Sequence, residues 1–277
     1  MAPSRLVALD LDGTLLNEEK IITEGNLEAL AGLRAAGVLM VPVTGRPAQG
    51  LPRQVLELPG LRYTITSNGA TIRDLVTGET LLEKHLAAEK GLEVLAACAE
   101  FPMIREAFRE GVGYLSQADY DALCARYAGT ALLDYVLDTR QILPGTVEDF
   151  LRTDPRPIEE LFFLTDSVEA KLRLRERLSK VQDIGFADPF PRDLEVIAGG
   201  IDKGEGLRFL LDRLGISPEE VLAMGDGGSD IPLLQAAGIG VAMENATDGV
   251  KAAADFVTTS CDHDGVAAAL KKFVPGL

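Results

Sequence analysis

The sequence predicts an α/β protein with a doubly wound parallel sheet, into which a separate α+β domain is inserted. Near both ends of the chain, short apolar runs alternate with segments of helical spacing, a pattern typical of a parallel sheet with helices on both faces. Between these regions, strand-like runs alternate with helices and with linkers rich in proline and charge. We therefore expect a core formed by residues 1–83 and 191–277, and an inserted domain at 84–190.

Composition narrows the class of protein. The chain has 277 residues, 47% of them apolar and 25% charged, which is ordinary for a globular protein and ample for two domains. Its 43 acidic and 27 basic residues give a net charge of -16, which argues against a nucleic-acid partner. No run is long enough for a membrane span. Because the first residues lead directly into the first predicted strand, a cleaved leader would remove that strand, and we expect a cytoplasmic protein. The sequence does not predict the oligomeric state.

The first predicted strand ends in two carboxylates. The apolar run 6–9 is followed by Asp10 and Asp12, and Gly13 then turns the chain away. Ligands bind beyond the carboxyl ends of parallel strands, and the period of two places both side chains on one face. Two such carboxylates repel each other unless a cation or a proton lies between them. Mg²⁺ would remove the repulsion and also bind phosphate oxygens. Taken alone, the same residues could be a polar strand end that enters a turn.

Further polar residues follow the other predicted strands. The pairs of strand and following residues are 38–43 with Thr44, Gly45 and Arg46; 63–66 with Asn68; 194–197 with Lys203, at a helix start; 221–224 with Asp226, Ser229 and Asp230; and 239–243 with Asn245. In so acidic a chain, a phosphate site must be made locally positive by a metal, a lysine or helix N-termini.

Taken in order, these stretches resemble the haloacid dehalogenase superfamily, and most closely its Cof-type phosphatases. The motifs that carry the resemblance are DLDGTLL at 10–16, TGR at 44–46, SNGA at 67–70, IDKGEGL at 201–207, MGDGGSD at 224–230, GVAMENA at 240–246 and DGVAAAL at 264–270. A single DxDG would be weak, whereas seven motifs in sequence across the whole chain are highly specific. The resemblance implies a Rossmann-like core and an inserted C2-type cap of subclass IIB.

The resemblance also implies a mechanism. Asp10 would be the nucleophile that forms an aspartyl-phosphate, and Asp12 would be the general acid and base. As an acid near neutral pH, Asp12 would need a raised pKa. Mg²⁺ would be held by the Asp10 carboxylate, the Asp12 main-chain carbonyl and Asp226, with Asp230 orienting its waters.

Phosphate oxygens would be bound by several donors in the family pattern. These are the Thr44 hydroxyl, the backbone amides near Leu11 and Gly45, and the Lys203 ammonium. Ser229 departs from the pattern, because the family commonly has asparagine there, and a shorter side chain would weaken phosphate binding. Three further residues are expected either to contact substrate or to brace a loop: Arg46, Asn68 and Asn245.

The motifs and the family resemblance together predict Mg²⁺-dependent hydrolysis of a small phosphorylated metabolite, such as a sugar phosphate. Two alternatives remain open. A phosphotransferase or mutase would pass the phosphoryl group to a second sugar hydroxyl instead of water. A sensor would bind a phosphorylated ligand without turnover, although binding alone does not require Asp12.

Overall fold

The computed structural model describes residues 4–130, 132–188 and 191–276. Its β-strands, in chain order, are β1 (Leu6–Leu9), β2 (Leu39–Pro42), β3 (Tyr63–Thr66), β4 (Thr71–Asp74), β5 (Thr80–Glu83), β6 (Ile104–Arg109), β7 (Val112–Ser116), β8 (Arg140–Leu143), β9 (Glu160–Leu164), β10 (Ile184–Ala187), β11 (Asp193–Ala198), β12 (Val221–Gly225), β13 (Ile239–Ala242) and β14 (Phe256–Val257). Its α-helices are α1 (Glu24–Ala35), α2 (Arg53–Leu56), α3 (Ala88–Ala97), α4 (Gln117–Tyr127), α5 (Leu132–Thr139), α6 (Val147–Thr153), α7 (Val168–Leu178), α8 (Lys203–Leu214), α9 (Ile231–Ala236), α10 (Asp248–Ala253) and α11 (Gly265–Phe273). None of the helices in the described ranges combines the length and the apolar character needed to cross a membrane.

The chain folds into two compact units. The first unit comprises the described residues up to Glu83 and from Ile201 onward, and the second runs from Lys84 to Gly200. A parallel sheet lies at the centre of the first unit, whereas a mostly antiparallel sheet lies at the centre of the second. The predicted α/β fold class, with a parallel sheet and a separate α+β region, is thereby confirmed.

In the first unit, five parallel strands form the sheet in the order β14-β13-β12-β1-β2. β1 is paired on one side with β2, the next strand in the chain, and on the other with β12, which follows the second unit. Because the strand order proceeds in opposite directions from this pair, the β1–β12 boundary is the switch point of a doubly wound sheet. Ligands bind at such a point, beyond the carboxyl ends of the strands.

Helices cover both faces of this sheet and hold β1 in place. Leu6 and Ala8 belong to a core shared with α8, α9 and α10, whereas Val7 and Leu9 belong to a core shared with α1 and α11. All four side chains are completely buried. Full burial of each larger side chain contributes about 1.5–3 kcal/mol. The residue that follows β1, Asp10, therefore extends from a strand that is fixed on both faces.

The predicted third strand is present but does not extend the parallel sheet along its length. A single parallel bridge, between Val43 and Ile65, joins β3 to the end of β2. Along its whole length β3 pairs antiparallel with β4, which in turn pairs with β5. This three-stranded sheet is not predictable from the sequence pattern, because hydrophobic patterning identifies a strand without specifying its partner.

The second unit has a six-stranded sheet in the order β10-β11-β9-β6-β7-β8. Its pairs are antiparallel except for β7 with β8. Helices α3, α6 and α7 contribute to an apolar core on one face of the sheet, and α4 and α5 contribute to a smaller cluster with Leu115 and Leu164. This arrangement is the α+β organisation expected for the inserted region.

The second boundary between the units differs from the predicted one. The predicted boundary lies between residues 190 and 191, directly after residues 189–190, which are outside the described residues. The strand that follows, β11, was expected to resume the parallel sheet but pairs antiparallel with both β9 and β10. The second unit accordingly continues to Gly200. The apolar alternation of residues 194–197 is compatible with either sheet, so the local sequence does not reveal which sheet β11 joins.

Candidate active site

The loops after β1 and β12 lie side by side at the switch point of the first unit. The backbone amide of Asp10 donates a hydrogen bond to the carbonyl of Met224 at 3.0 Å, which continues the pairing of the two strands to their ends. Asp226 follows β12 directly. Side chains from these two loops therefore converge at the edge of the sheet where ligands bind.

A buried lysine links two of the carboxylates at this edge. Lys203 Nζ donates to Asp10 Oδ1 at 2.8 Å and to Asp230 Oδ1 at 2.6 Å. The lysine is 3% exposed, Asp10 5% and Asp230 1%, so water cannot replace these contacts. Burial alone would lower the pKa of Lys203, but the two carboxylates outweigh it and raise that pKa, which keeps the ammonium charged. Lys203 is the first residue of α8, whose N-terminus is capped by Asp202.

Three carboxylates form an acidic cluster that suits a divalent cation. Ligand oxygens of Asp10, Asp226 and Asp230 all lie within 4.8 Å of one another. Burial and the neighbouring Asp230 raise the pKa of Asp226 to about 6 and raise that of Asp10 well above its usual value, even though Lys203 opposes the shift at both. One lysine thus does not neutralise the cluster. A hard dication with oxygen ligands would, and the side chains present fit one.

Asp230 also accepts hydrogen bonds from the loop after β12, in addition to its contact with Lys203. Its Oδ2 accepts hydrogen bonds from the backbone amides of Asp226 at 3.0 Å and Gly227 at 2.9 Å. The carboxylate therefore fixes the loop that carries Asp226. A role in orienting metal-bound water, as predicted, stays a prediction.

Asp12 lies apart from this acidic cluster and is held by cations. Arg46 donates to both of its oxygens, from Nε at 2.6 Å and from Nη2 at 2.8 Å, and Lys20 Nζ lies 2.9 Å from Oδ1. Burial alone would raise the pKa of Asp12, but these two cations lower it to about 2. The expectation of a raised pKa was therefore wrong for this arrangement. The sequence placed Asp12 next to another carboxylate, whereas the turn after Asp10 directs it toward two basic side chains.

The TGR loop is braced by the SNGA loop. The backbone amide of Ser67 donates to the carbonyl of Arg46 at 2.9 Å, and that of Asn68 donates to the carbonyl of Thr44 at 3.1 Å. Ser67 and Asn68 are buried, and both have a positive φ. This backbone conformation is unfavourable for residues other than glycine, and the hydrogen bonds to the TGR loop stabilise it. Asn68 also packs against Gly45, where an added Cβ would lie 3.1 Å from its Oδ1.

Three further residues were predicted to bind phosphate: Thr44, Leu11 and Ser229. Thr44 is 2% exposed, and its Oγ1 accepts a hydrogen bond from the Arg46 amide at 3.1 Å. The Leu11 side chain is completely buried, so only its backbone can face a ligand. Ser229 lies in the short 3-10 helix Gly228–Asp230 beside the acidic cluster.

Two residues at the site were not singled out from the sequence. Thr14 Oγ1 donates to Asp226 Oδ1 at 3.2 Å, and Lys20 pairs with Asp12. Thr14 lies within the DLDGTLL motif, so the motif offered a signal. Lys20 has no motif around it and reaches Asp12 through a turn in which its own φ is +62°. Asn245, expected to contact substrate or brace a loop, lies beside Asp226 and Gly13.

Comparisons with known proteins identify the family of the chain. The family model of haloacid dehalogenase-like hydrolases matches residues 7–270. A putative phosphatase of Bacillus subtilis, YxeH, is 30% identical, with 98% of each chain covered. The phosphatase YcsE of the same organism, named for 5-amino-6-(5-phospho-D-ribitylamino)uracil, is 28% identical over 98% of this chain and 96% of its own. The solved structure of BT4131, described as a subclass IIB sugar phosphatase, superposes with a TM-score of 0.80 at 26% identity, covering 98% of this chain and 99% of that one. The predicted resemblance is confirmed, and the chain belongs to the family of haloacid dehalogenase-like hydrolases.

Proposed function

We propose that this protein is a Mg²⁺-dependent phosphatase of small phosphorylated metabolites, of the sugar phosphate class, and that Asp10 forms an aspartyl-phosphate. Its family and its phosphatase relatives make the chain a hydrolase of phosphoric monoesters. The proposed metal dependence and the proposed nucleophile rest on one observation. Asp10, Lys203 and Asp230 form a buried group beside Asp226, at the switch point of the sheet.

Asp10 has the surroundings of a nucleophile. The backbone hydrogen bond to Met224 and the contact with Lys203 fix its position, so little motion has to be restricted at the moment of attack. Lys203 also places a positive charge where the oxygens of a transferring phosphoryl group would gather. Positioning and charge stabilisation dominate the catalysis of phosphoryl transfer.

The divalent cation would be held by Asp10, by Asp226 and by the main-chain carbonyl of Asp12. When bound, Mg²⁺ supplies charge stabilisation for the phosphoryl oxygens. Thr14 and the backbone contacts of Asp230 hold the Asp226 side chain and its loop toward this position. The raised pKa values of Asp10 and Asp226 support the assignment, because they indicate negative charge that the protein itself leaves uncompensated.

In the arrangement described, Asp12 has the charge state of a general base. Its pKa of about 2 keeps it ionised at neutral pH, but the two cations that lower this pKa also make it a weak base toward the water that attacks the aspartyl-phosphate. The first step needs the opposite charge state, because a leaving alkoxide must receive a proton. The contact between Asp12 and Arg46 must therefore loosen when substrate is bound.

The substrate class rests on the relatives and on the second unit. One relative is named for a phosphorylated ribityl compound, and BT4131 is described as a sugar phosphatase. Both point to small phosphate monoesters with several hydroxyl groups. We further propose that residues 84–200 act as the cap expected from the resemblance, which selects the alcohol part of the substrate.

The test is phosphate release from 4-nitrophenyl phosphate and from a panel of sugar phosphates, with Mg²⁺ or with EDTA. Wild type should release phosphate only with the metal, and Asp10→Asn should release none. Aldose and ketose phosphates in the panel would define the preferred alcohol, and product analysis with an added acceptor sugar would reveal a transferase. Binding of an ester without release from any of them would favour a sensor and contradict the proposal.

A further inference from the structure

Asn245 connects three loops at the carboxyl edge of the first unit's sheet. Its Nδ2 donates to the carbonyl of Gly13 at 2.8 Å and lies 3.4 Å from Asp226 Oδ2. Its Oδ1 accepts a hydrogen bond from the backbone amide of Cys261 at 3.0 Å. One side chain thus joins the loops after β1, β12 and β14, and it comes from a fourth loop, after β13.

The contact with Gly13 matters because this glycine packs directly on Asp226. Gly13 has a φ of +84°, and a methyl group added to it would collide with the Asp226 carboxylate. The neighbouring Thr14 donates to the other oxygen of the same carboxylate, at 3.2 Å. Any movement of the turn at residues 13–14 would therefore displace the Asp226 carboxylate. The hydrogen bond from Asn245 Nδ2 to the Gly13 carbonyl, which is the shortest that the Asn245 side chain makes, restrains this turn.

We propose that Asn245 is a positioning residue for Asp226, which fixes that carboxylate for a divalent cation, and that it does not bind substrate. Both polar atoms of its exposed side chain, Oδ1 and Nδ2, already have hydrogen-bond partners within these loops. Side chains that orient a metal ligand affect metal affinity by about 10- to 100-fold when they are removed. The inference rests on the metal-dependent function proposed above and assigns this residue's part in it.

The test compares Asn245→Ala with Glu244→Ala, a control that removes an exposed side chain from the adjacent position. Binding of Mn²⁺ would be followed by electron paramagnetic resonance and binding of Mg²⁺ by calorimetry. We expect about tenfold weaker binding of both ions by Asn245→Ala and unchanged binding by the control. At saturating Mg²⁺, the KM of Asn245→Ala for 4-nitrophenyl phosphate should stay within about twofold of wild type, since no substrate contact is lost.

A purely structural role would give a different result. It would lower the melting temperature of the metal-free protein without changing the dissociation constant of Mn²⁺, and that outcome would overturn the proposal. A raised KM with unchanged metal binding would do the same, because it would make Asn245 a substrate contact. Should Asn245→Ala not fold, Asn245→Ser is the second variant, since its short hydroxyl cannot span both Gly13 and Asp226, and weaker Mn²⁺ binding is again expected. If wild type itself bound neither ion, the metal-dependent function would fail first.

Discussion

The guanidinium of Arg46 and the carboxylate of Asp12 form a two-point contact, with hydrogen bonds of 2.6 and 2.8 Å from Nε and Nη2. Such paired bonds are stronger and more directional than a single contact. Arg46 is itself anchored by a hydrogen bond from Nη1 to the carbonyl of Gly50. Arg46, which was expected to contact substrate or brace a loop, thus holds Asp12, the proposed general acid and base.

Replacing Arg46 by methionine should raise the pKa of Asp12. An adjacent arginine lowers the pKa of an aspartate by about 1–3, and Lys20 would remain beside Asp12. Carbon-13 NMR of the metal-free protein, with Asp12→Asn for assignment, should show Asp12 largely ionised throughout pH 3–6 in wild type and titrating inside that range in Arg46→Met. Arg53→Met, which removes an exposed arginine paired with Glu57, is the matched control. An Asp12 signal that behaves identically in all three proteins would contradict the assigned cause.

Asp12→Asn should turn over 4-nitrophenyl phosphate with a burst. Transfer of the phosphoryl group to Asp10 expels a nitrophenolate that needs no proton, whereas hydrolysis of the aspartyl-phosphate needs the missing base. Stopped-flow absorbance should record about one equivalent of nitrophenol per protein molecule, followed by a steady state slower by about 10²–10⁴. Alkyl phosphates should give no burst, because their leaving oxygen requires the acid. A variant with no burst and an equal loss on both ester types would argue against this role of Asp12.

Lys203→Met should destabilise the protein, and more so at pH 7.5 than at pH 5. Removing one partner from a buried ionic group costs about 3–5 kcal/mol, because Asp10 and Asp230 are left without their cation. The folded-state pKa of Asp10, which burial already raises, then lies further above its unfolded value, so the stability that this group contributes is present at low pH and is lost as pH rises through the folded-state pKa. Urea denaturation at the two pH values measures the difference. The exposed Lys271→Met is the control, and a pH-independent loss in Lys203→Met would contradict the explanation.

The affinity of the metal-free protein for Mg²⁺ should decline below about pH 6. The pKa of Asp226 is about 6 without metal, and a cation binds the ionised carboxylate, so at lower pH binding must displace a proton. We expect nearly constant affinity above about pH 7 and a loss approaching tenfold per pH unit below 6. Calorimetry in buffers of different ionisation enthalpy would count the released protons. Constant affinity from pH 5 to 7.5 would exclude Asp226 as a titrating ligand.

Replacing residues 84–200 by a short flexible linker should leave a folded first unit. Its two apolar cores, on the two faces of the parallel sheet, are built from its own residues. We expect the shortened protein to hydrolyse 4-nitrophenyl phosphate and to lose its preference among sugar phosphates. An insoluble product, or an unchanged order of preference, would count against residues 84–200 as the cap.

Much of this arrangement could be predicted from the sequence because its signals are local. An apolar run that ends in a polar turn identifies a strand and its ligand-facing end, as it does for Leu6–Leu9 followed by Asp10. The motif around Lys203 identified a helix start, and α8 begins at that residue. Such signals depend on neighbours in the chain, and the order of the motifs linked them to one family.

Only the tertiary structure decided which groups touch. The strand Asp193–Ala198 has the same alternation that a core strand would have, and its partners, β9 and β10, are known only from the fold. Asp12 and Lys20 are eight positions apart, yet their ion pair depends on a turn with unusual backbone angles. Strand pairing and ion pairing depend on how separate segments of the chain fold against each other. The sequence alone therefore determined the family, the strand ends and the candidate reactive residues, whereas the fold decided the ionisation of Asp12, the sheet to which β11 belongs and the anchoring of Asp226.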